Sequence, residues 1–322
     1  MAVIAELSPD SAEATYFTQT ALPSLRAVLP LENMKAFHAG DKPETLLEEI
    51  EAFNPEFIGG YPEIIMILAI LKRKGKGKTI QPRIIATSGS ILDDYTREYI
   101  KKSFHADLFD VYGATECSPM AFQCHKGNYH LHPDFVYMEF MDAKEKEHLS
   151  GDGGNIVVTR LFGRGTPVIR YTGVSDFIVP SKRMCSCMMH APVIDRIEGR
   201  RVDAIVLPGG EMIPPSSITG IPHFVMHLLH TDKIQQFQII QHSLTMIDVL
   251  LVIDEKQRTI GPAVDVIKDE IRKQFKERIG HGVTITVKEV DRITMVRPGS
   301  AIPPPVLISK VNVPTKREEK TD

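Results

Sequence analysis

The chain has 322 residues, of which 43% are hydrophobic and 25% are charged, and its formal net charge is −3. These values are typical of a soluble globular protein with room for two domains. Basic and acidic residues nearly cancel, so the composition argues against a polyanion-binding surface and predicts no nucleic-acid partner. Four cysteines are too few for a disulfide framework in a chain of this length, which predicts a reducing, cytoplasmic location.

The beginning of the chain has little pattern before about Leu31. Residues 1–6 lack the basic flank and the long apolar run of a signal peptide. The apolar run Ile64–Leu71 is too short to span a bilayer, so no membrane partner is expected.

Strands alternate with helices between about residues 31 and 124. Proline starts and apolar positions at helical spacing predict helices, and short apolar runs predict strands. The helices start at Pro43, Pro62 and Leu92, and the strands are Phe57–Gly60, Arg83–Thr87 and Leu108–Val111. This alternation predicts an α/β layer, a parallel sheet with flanking helices, which binds ligands beyond the carboxyl ends of its strands.

The pattern changes over residues 125–197, where glycine-rich turns separate three further strands. These are Phe135–Phe140, Asn155–Thr159 and Pro167–Tyr171. The succession predicts an antiparallel β subdomain, either a sheet or a small barrel, appended to the parallel layer. The large domain is therefore expected to cover residues 1–198.

A small α+β domain is predicted for residues 199–322. Its strands lie within residues 237–240, 248–253 and 283–287, and a helix opened by Pro262 is closed by Gly280. The tail from Pro303 onward is proline-rich and then charged, and it is expected to be mobile.

Residues 112–116, Tyr-Gly-Ala-Thr-Glu, follow the last strand of the parallel layer directly. The glycine lets the backbone turn sharply and approach a ligand closely. A hydroxyl and a carboxylate then arrive together, a pair that suits phosphate oxygens and a magnesium ion. An ordinary turn with exposed polar side chains is the alternative that these five residues leave open.

Taken together, these motifs resemble those of the adenylate-forming ligase superfamily. The similarity is greatest to phenylacetate–coenzyme A ligases and to the adenylating synthetases that modify a deazaflavin coenzyme. Residues 112–116 match the family's aromatic-Gly-x-Thr-Glu motif, and Gly153–Thr159 with Ile169–Tyr171 and Asp176 match its ribose-binding segment. Residues 197–200 with Asp203 match the joint between its large and small domains. The resemblance covers roughly residues 37–311 and implies an adenylating fold.

The resemblance also implies a nucleotide site. Tyr112 would stack on the adenine, and Asp176 would accept hydrogen bonds from both ribose hydroxyls. Arg200 would hold the nucleotide as the small domain rotates. The residues that would bind ATP or AMP are Ser88, Gly89, Ser90, Tyr112, Gly113, Asp176 and Arg200.

Three residues would carry the chemistry in this resemblance. Thr115 would contact the α-phosphate, and Glu116 would hold a magnesium ion that offsets the charge of the leaving pyrophosphate. Lys310 is the nearest match to the family's C-terminal catalytic lysine. Aligning residues 298–300 with the family's proline-rich turn places Ile308 at that position, so Lys310 comes two residues late.

The chain also departs from the family pattern. It has no upstream Ser/Thr/Gly-rich loop to grip a triphosphate, and the expected N-terminal half of the large domain is missing. Val202 stands where the joint is usually acidic, and residues 171–176 form a segment one residue longer than usual. These departures keep a second interpretation open, a catalytically degenerate module that binds a nucleotide or a partner.

Two pairs of candidate metal ligands lie in the β subdomain. Cys185 and Cys187 are one residue apart, and Cys124 and His130 are six positions apart in a glycine-containing turn. Together they could close a tetrahedral Cys₃His zinc site. Buried free thiols are the alternative, because neither pair has Cys-x-x-Cys spacing. The resemblance favours the zinc site, since some phenylacetate–coenzyme A ligase-like proteins carry a Cys/His set here; His132 is the alternative fourth ligand.

The leading hypothesis is an atypical AMP-forming ligase that activates an aryl or acyl carboxylic acid with ATP and then forms a coenzyme A thioester. Its expected cofactors are ATP or AMP with Mg²⁺, a structural Zn²⁺ and coenzyme A. The expected partner is a small carboxylic acid, and a homodimer is left open. The basic loop Lys72–Lys78 is either a contact for a phosphorylated thiol carrier or a solvated helix end.

Overall fold

The structure is a computed structural model that describes residues 1–8, 11, 14–15, 33–141, 155–163, 165–200, 203–293 and 306–311. The strands of its N-terminal part are β1 (Ala2–Ala5), β2 (Lys35–His38), β3 (Phe57–Gly60), β4 (Ile84–Ser88), β5 (Asp107–Ala114), β6 (Ser118–Gln123), β7 (Tyr129–Leu131), β8 (Val136–Met141), β9 (Asn155–Arg160), β10 (Asp176–Pro180) and β11 (Val193–Arg200). Nine of them form one sheet in the order β10-β11-β7-β6-β5-β4-β3-β1-β2.

This sheet has a parallel half and an antiparallel half that share β5. Strands β1 to β5 pair in parallel. Every pairing from β5 outward to β10 is antiparallel. The remaining strands, β8 and β9, pair with each other as an antiparallel hairpin.

Three helices pack on the parallel half: α1 (Pro43–Phe53), α2 (Pro62–Arg73) and α3 (Asp94–Phe104). A proline in the first turn of α1 and of α2 presets the helical backbone angle. Asp93 caps α3, because its carboxylate accepts hydrogen bonds from the backbone N–H groups of Tyr95 and Thr96. The apolar helix faces and the strands share one buried core.

Strands β1 and β2 lie where the sequence shows little pattern. β1 is nevertheless internal, between β2 and β3, and its Ala2 and Ile4 are buried. Four residues are too few to display an alternation, and the partners of this strand are far away in sequence. The predicted strand Pro167–Tyr171 is wrong: Tyr171 makes one isolated bridge to Val158, and Ile169 is 72% exposed.

The antiparallel half curls around its own core. In a flat sheet, β5 and β10 would lie four strand spacings apart, about 19 Å. The hydroxyl of Tyr112 on β5 nevertheless donates a hydrogen bond to Asp176 Oδ2 on β10 at 2.6 Å. Two side chains cannot bridge the flat distance, so the sheet must bend back. Buried side chains such as Met120, Ile156 and Ile178 fill the enclosed space.

The C-terminal part has a sheet of its own. Its elements are β12 (Ile205–Val206), β13 (Met212–Ile213), a 3₁₀ turn (Pro215–Ser217), α4 (Ile221–Leu228), β14 (Ile234–Ser243), β15 (Met246–Ile253), α5 (Val264–Ile279), β16 (Thr284–Glu289) and β17 (Leu307–Ser309). Four of the strands form a sheet in the order β16-β15-β14-β17, and the buried faces of α4 and α5 pack on it. The predicted fold class is confirmed: a parallel sheet with flanking helices, an antiparallel subdomain and a C-terminal α+β part.

The end of the chain differs from the sequence prediction. Leu307 is buried and β17 pairs in parallel with residues 239–241, where the sequence predicts a mobile tail. The predictions for Gly153, Gly154 and Val202 fall outside the described residues, as do those for residues 298–300 and 312–322. The domain boundary near residue 198 stays a prediction. In the described part of the chain, no helix is both long and apolar enough to cross a bilayer.

The C-terminal part contacts the large sheet's helices at both ends of α3. At its start, His223 Nδ1 lies 2.9 Å from Thr96 Oγ1 and 3.4 Å from Asp93 Oδ2. Near its end, Arg73 donates to a side chain of α3 and forms an ion pair with Asp232 at 3.5 Å. These contacts fix the C-terminal sheet against the helix layer.

Asp93 joins both sets of interactions, as the cap of α3 and as the partner of His223. Burial disfavours its charged form, but the hydrogen bond and the charge of His223 outweigh burial and lower the pKa of Asp93 to about 2. Because this pKa lies below the unfolded value of about 3.9, the stabilisation is present above about pH 4 and is lost as the pH falls through about 2.

We expect Asp93→Ala to lower the free energy of unfolding by about 1–2 kcal/mol at neutral pH, the usual cost of losing an N-cap. The difference from the parent should shrink as the pH falls toward 2, because protonation disables Asp93 in the parent as well. Asp94→Ala is the matched control, since it removes an exposed carboxylate from the same helix end. Urea unfolding checks both, and equal losses for the two variants would contradict the assignment.

Candidate functional site

The carboxyl ends of the parallel strands form an exposed polar rim. Parallel strands end together, so the residues after β4 and β5 lie at one edge of the sheet. Ser88, Gly89 and Ser90 are exposed at the end of β4, and Thr115 and Glu116 are exposed after β5. This edge therefore presents hydroxyl, carboxylate and backbone groups to a ligand.

Two glycines of the rim are required by the fold itself. A Cβ on Gly113 would lie 2.7 Å from the carbonyl oxygen of Ser118, because β5 and β6 run very close together there. Gly89 has a φ of +92°, and a Cβ on it would lie 2.9 Å from the ring of Tyr61. Neither position accepts a larger residue without a shift of its neighbours.

Tyr112, Asp176 and Arg200 meet beside this rim. Asp176 and Arg200 are opposite residues of β10 and β11, and the Tyr112 hydroxyl donates to Asp176. Burial raises the pKa of the Asp176 carboxyl, whereas the Tyr112 hydrogen bond and the charge of Arg200 oppose this rise. Tyr112 is only 8% exposed and is packed in the core of the antiparallel half. Stacking of this ring on an adenine would therefore require the ring to move.

Glu116 is held by two residues from the β8–β9 side of the molecule. The Tyr171 hydroxyl donates to Glu116 Oε1 at 3.2 Å. Arg160 Nη1 donates to the backbone oxygen of Glu116 at 3.2 Å, and its Nη2 donates to the backbone oxygen of Thr166 at 2.6 Å. Tyr171 belongs to the segment that resembles the ribose-binding motif, whereas no spacing or pattern in the sequence distinguishes Arg160.

Lys310 lies on the C-terminal sheet, just after β17. Its backbone N–H donates to Gln241 O at 2.9 Å, and its Nζ lies 3.4 Å from His242 Nδ1. Among the described residues, no hydrogen bond or ion pair joins Lys310 to the rim. Its catalytic role stays a prediction.

A buried carboxyl group lies in β5, the strand that leads to Thr115 and Glu116. Asp110 on β5 accepts hydrogen bonds from Thr87 Oγ1 and from the Tyr129 hydroxyl, both at 2.6 Å. Burial raises the pKa of Asp110, and these hydrogen bonds oppose the rise. The network ties β4, β5 and β7 together. An aspartate inside an otherwise apolar strand is the feature of the sequence that indicates this network.

The four predicted metal ligands converge in the antiparallel half. The ligand atoms of Cys124, His130, Cys185 and Cys187 all lie within 4.8 Å of one another. Cys124 Sγ is 3.7 Å from Cys185 Sγ, and Cys187 Sγ is 3.2 Å from His130 Nε2. Three thiols and one imidazole are the donor set of a closed tetrahedral zinc site.

Neighbouring groups orient this Cys₃His cluster. His130 Nδ1 lies 3.3 Å from the carbonyl oxygen of Ala191, which turns Nε2 toward the thiols. The backbone N–H of Cys187 donates to Cys185 Sγ and, with the side chains of His130 and Asn128, lowers the pKa of Cys185 to about 6. Burial and the neighbouring thiols of Cys185 and Cys124 raise the pKa of Cys187. A low pKa favours the thiolate, which is the form that binds metal.

Comparison with known proteins places the fold. A family model of the CapK C-terminal domain matches residues 215–301, and no curated protein matches the chain. The structure of 2-hydroxyisobutyryl-CoA ligase in the postadenylation state in complex with 2-HIB-AMP is similar with a TM-score of 0.68 at 19% identity, covering 82% of this chain and 57% of that one.

Two other solved structures are similar at lower identity. A benzoate CoA ligase from Burkholderia xenovorans LB400 has a TM-score of 0.55 at 13% identity, covering 80% of this chain and 52% of that one. The amide bond synthetase McbA from Marinactinospora thermotolerans has a TM-score of 0.54 at 14% identity, covering 83% and 54%. This chain thus spans little more than half the length of these structures, and it has the fold of the adenylate-forming ligases.

Proposed function

We propose that this chain activates a carboxylic acid with ATP, giving an acyl-adenylate and pyrophosphate. The observation that carries the proposal is the meeting of Tyr112, Asp176 and Arg200 beside Glu116, at the carboxyl edge of a sheet with this fold. A structural neighbour is described in complex with 2-HIB-AMP, an adduct that supports an acyl-adenylate as the product. The acid is proposed to be aryl or acyl, and coenzyme A is the proposed acceptor in a second step.

In the proposed reaction, an oxygen of the substrate carboxylate attacks the α-phosphorus, and the bond from phosphorus to pyrophosphate breaks. Thr115 contacts the α-phosphate, and Asp176 accepts hydrogen bonds from the ribose hydroxyls. Glu116 offers the oxygen ligands that Mg²⁺ prefers, and bound Mg²⁺ would offset the negative charge of the leaving group. Lys310 is a further proposed catalytic residue, which the C-terminal sheet would have to bring to the phosphates.

A second candidate function is nucleotide or partner binding without turnover. The contacts of Lys310 favour it, because its Nζ lies 3.4 Å from His242 Nδ1 and makes no hydrogen bond or ion pair with the rim among the described residues. Such a module would keep the ribose and magnesium contacts but would lack the lysine at the phosphates.

ATP–pyrophosphate exchange on the purified chain separates these candidates. Exchange that depends on an added aryl or acyl acid supports the ligase. Nucleotide binding without exchange over a broad panel of acids supports the binding module. A protein that neither binds ATP nor exchanges pyrophosphate would contradict both the ligase and a nucleotide-binding module.

Asp176→Ala is expected to weaken ATP or AMP binding by about 1–3 kcal/mol, because charge-assisted hydrogen bonds to the ribose are lost. Titration calorimetry measures the difference. Asp195→Ala is the control, since Asp195 is exposed on β11 and pairs with Arg183, away from the rim. Equal affinities for the Asp176 variant and the parent would remove Asp176 from the site.

The Cys₃His cluster is proposed to hold a structural zinc ion. Its four ligands come from the β6–β7 turn, from β7 and from the loop before β11, so a bound ion would join these segments. The ion would thereby hold β6 and β7 against β11, the strand that carries Arg200.

Metal analysis should find about one zinc ion per chain. Cys185→Ser is expected to lose the metal and to lower the melting temperature, because it removes one of the four ligands. Cys117→Ser is the control, since Cys117 is a buried free cysteine outside the cluster. A metal-free parent protein, prepared without chelators, would disprove the zinc site.

A further inference from the structure

Arg160 contacts the rim but has no role in the proposed reaction described above. It extends from the end of β9, and its Nη1 and Nη2 donate to the backbone oxygens of Glu116 and Thr166. Its guanidinium carbon lies 5.7 Å from the centre of the Phe162 ring. Two carbonyls and a ring therefore hold the guanidinium in one position next to the acidic end of the 112–116 motif.

Among the residues that the structure describes, Arg160 has no ion-pair partner. Within the described ranges, no carboxylate lies within ion-pair distance of Arg160, although the chain has many paired arginines, such as Arg170 with Glu139 and Arg258 with Glu289. Its partners are neutral carbonyls, and its Nε is buried without a hydrogen-bond partner among the described residues. Its Nη groups make their hydrogen bonds at the exposed surface, so an anion from solvent can reach the guanidinium.

The position of Arg160 points to a particular anion. Arg160 contacts the residue directly after Thr115, the proposed contact of the α-phosphate. The charge of Arg160 also acts on this segment, because it opposes the rise in the pKa of Cys117 that burial and Glu116 cause. A guanidinium matches phosphate geometry, since its planar fork can donate to two oxygens at once.

We propose that Arg160 binds the α-phosphate of the nucleotide held at this rim. This inference rests on the proposed nucleotide site and adds a catalytic residue to it. Nη1 and Nη2 of Arg160 each carry two N–H donors and use one on a carbonyl, so the second donor of each can serve a phosphate oxygen. As the bond to pyrophosphate breaks, the fixed guanidinium offsets negative charge on the α-phosphate without any change in its own position.

The test compares ligands that differ by this phosphate alone. AMP and adenosine are titrated into the parent, and the ratio of their dissociation constants reports the phosphate contact. We expect the parent to bind AMP more tightly than adenosine. We expect Arg160→Met to reduce that ratio about 10- to 100-fold while adenosine affinity is kept, because only the charge-assisted contact is lost.

Two further variants make the comparison specific. Arg272→Met removes an arginine from the exposed face of α5, where it pairs with Asp269, and it should leave the ratio unchanged. Arg160→Lys keeps the charge without the planar fork and should restore part of the ratio. It also keeps the proposal testable if Arg160→Met does not fold, because a lysine retains the long stem and the cation.

The outcomes are distinct. An unchanged ratio in the Arg160 variants would overturn the assignment while leaving the nucleotide site intact. An equal loss of AMP and adenosine affinity would overturn it as well, because it would show that Arg160 only ties two loops together. A parent that binds neither ligand would refute the proposed nucleotide site, and this inference with it.

Discussion

The hydrogen bond from Tyr112 to Asp176 holds the two halves of the large sheet together at the proposed site. It joins β5, the last parallel strand, to β10, the far edge of the antiparallel half. Without the curl that this contact requires, Asp176 and Arg200 would lie far from the rim. The same carboxylate is proposed to hold the ribose. Asp176 Oδ2 already accepts one hydrogen bond, and its remaining lone pairs can still accept two ribose hydroxyls.

The curl also explains how distant segments supply the environment of Glu116. Tyr171 and Arg160 reach this residue from chain positions more than 40 residues later. They do so because the buried face of the β8–β9 hairpin packs into the core that the curled strands enclose. Packing of apolar side chains such as Val158 and Ile178 therefore positions polar groups on the other side of the strands. We therefore expect a substitution that loosens this core to displace Glu116 more than it displaces the parallel half, whose core is separate.

The sequence predicted those parts of the fold that depend on local pattern. Helices opened by Pro43 and Pro62 were recovered because proline fixes their first turn, and β3 was recovered from its short apolar run. Two of the elements that the sequence missed, β1 and β17, depend on distant partners. β1 has four residues and pairs with residues 35–38 and 58–59, and β17 has three residues and pairs with β14.

The candidate site follows the same rule. The Tyr112–Glu116 motif and the four candidate zinc ligands could be named from the sequence, because their residue types indicate the chemistry they can perform. Arg160 could not be named, since an arginine at the end of a strand is common. Only the tertiary structure shows that it contacts Glu116 and Thr166. Ile169 shows the opposite error: Pro167–Tyr171 is rich in strand-forming residues, yet its three backbone hydrogen bonds to β9 give only one isolated bridge.

The two candidate functions differ in what they require of the C-terminal part. Contacts at both ends of α3 hold that part against the helix layer, and Lys310 lies beside His242 on its sheet. A ligase that depends on Lys310 would need this lysine to leave His242 and reach the phosphates. A cation supplied by Arg160 would require no such movement, because Arg160 ends β9 and already contacts Glu116. Phosphate binding by Arg160, as proposed, would then not depend on where the C-terminal part lies.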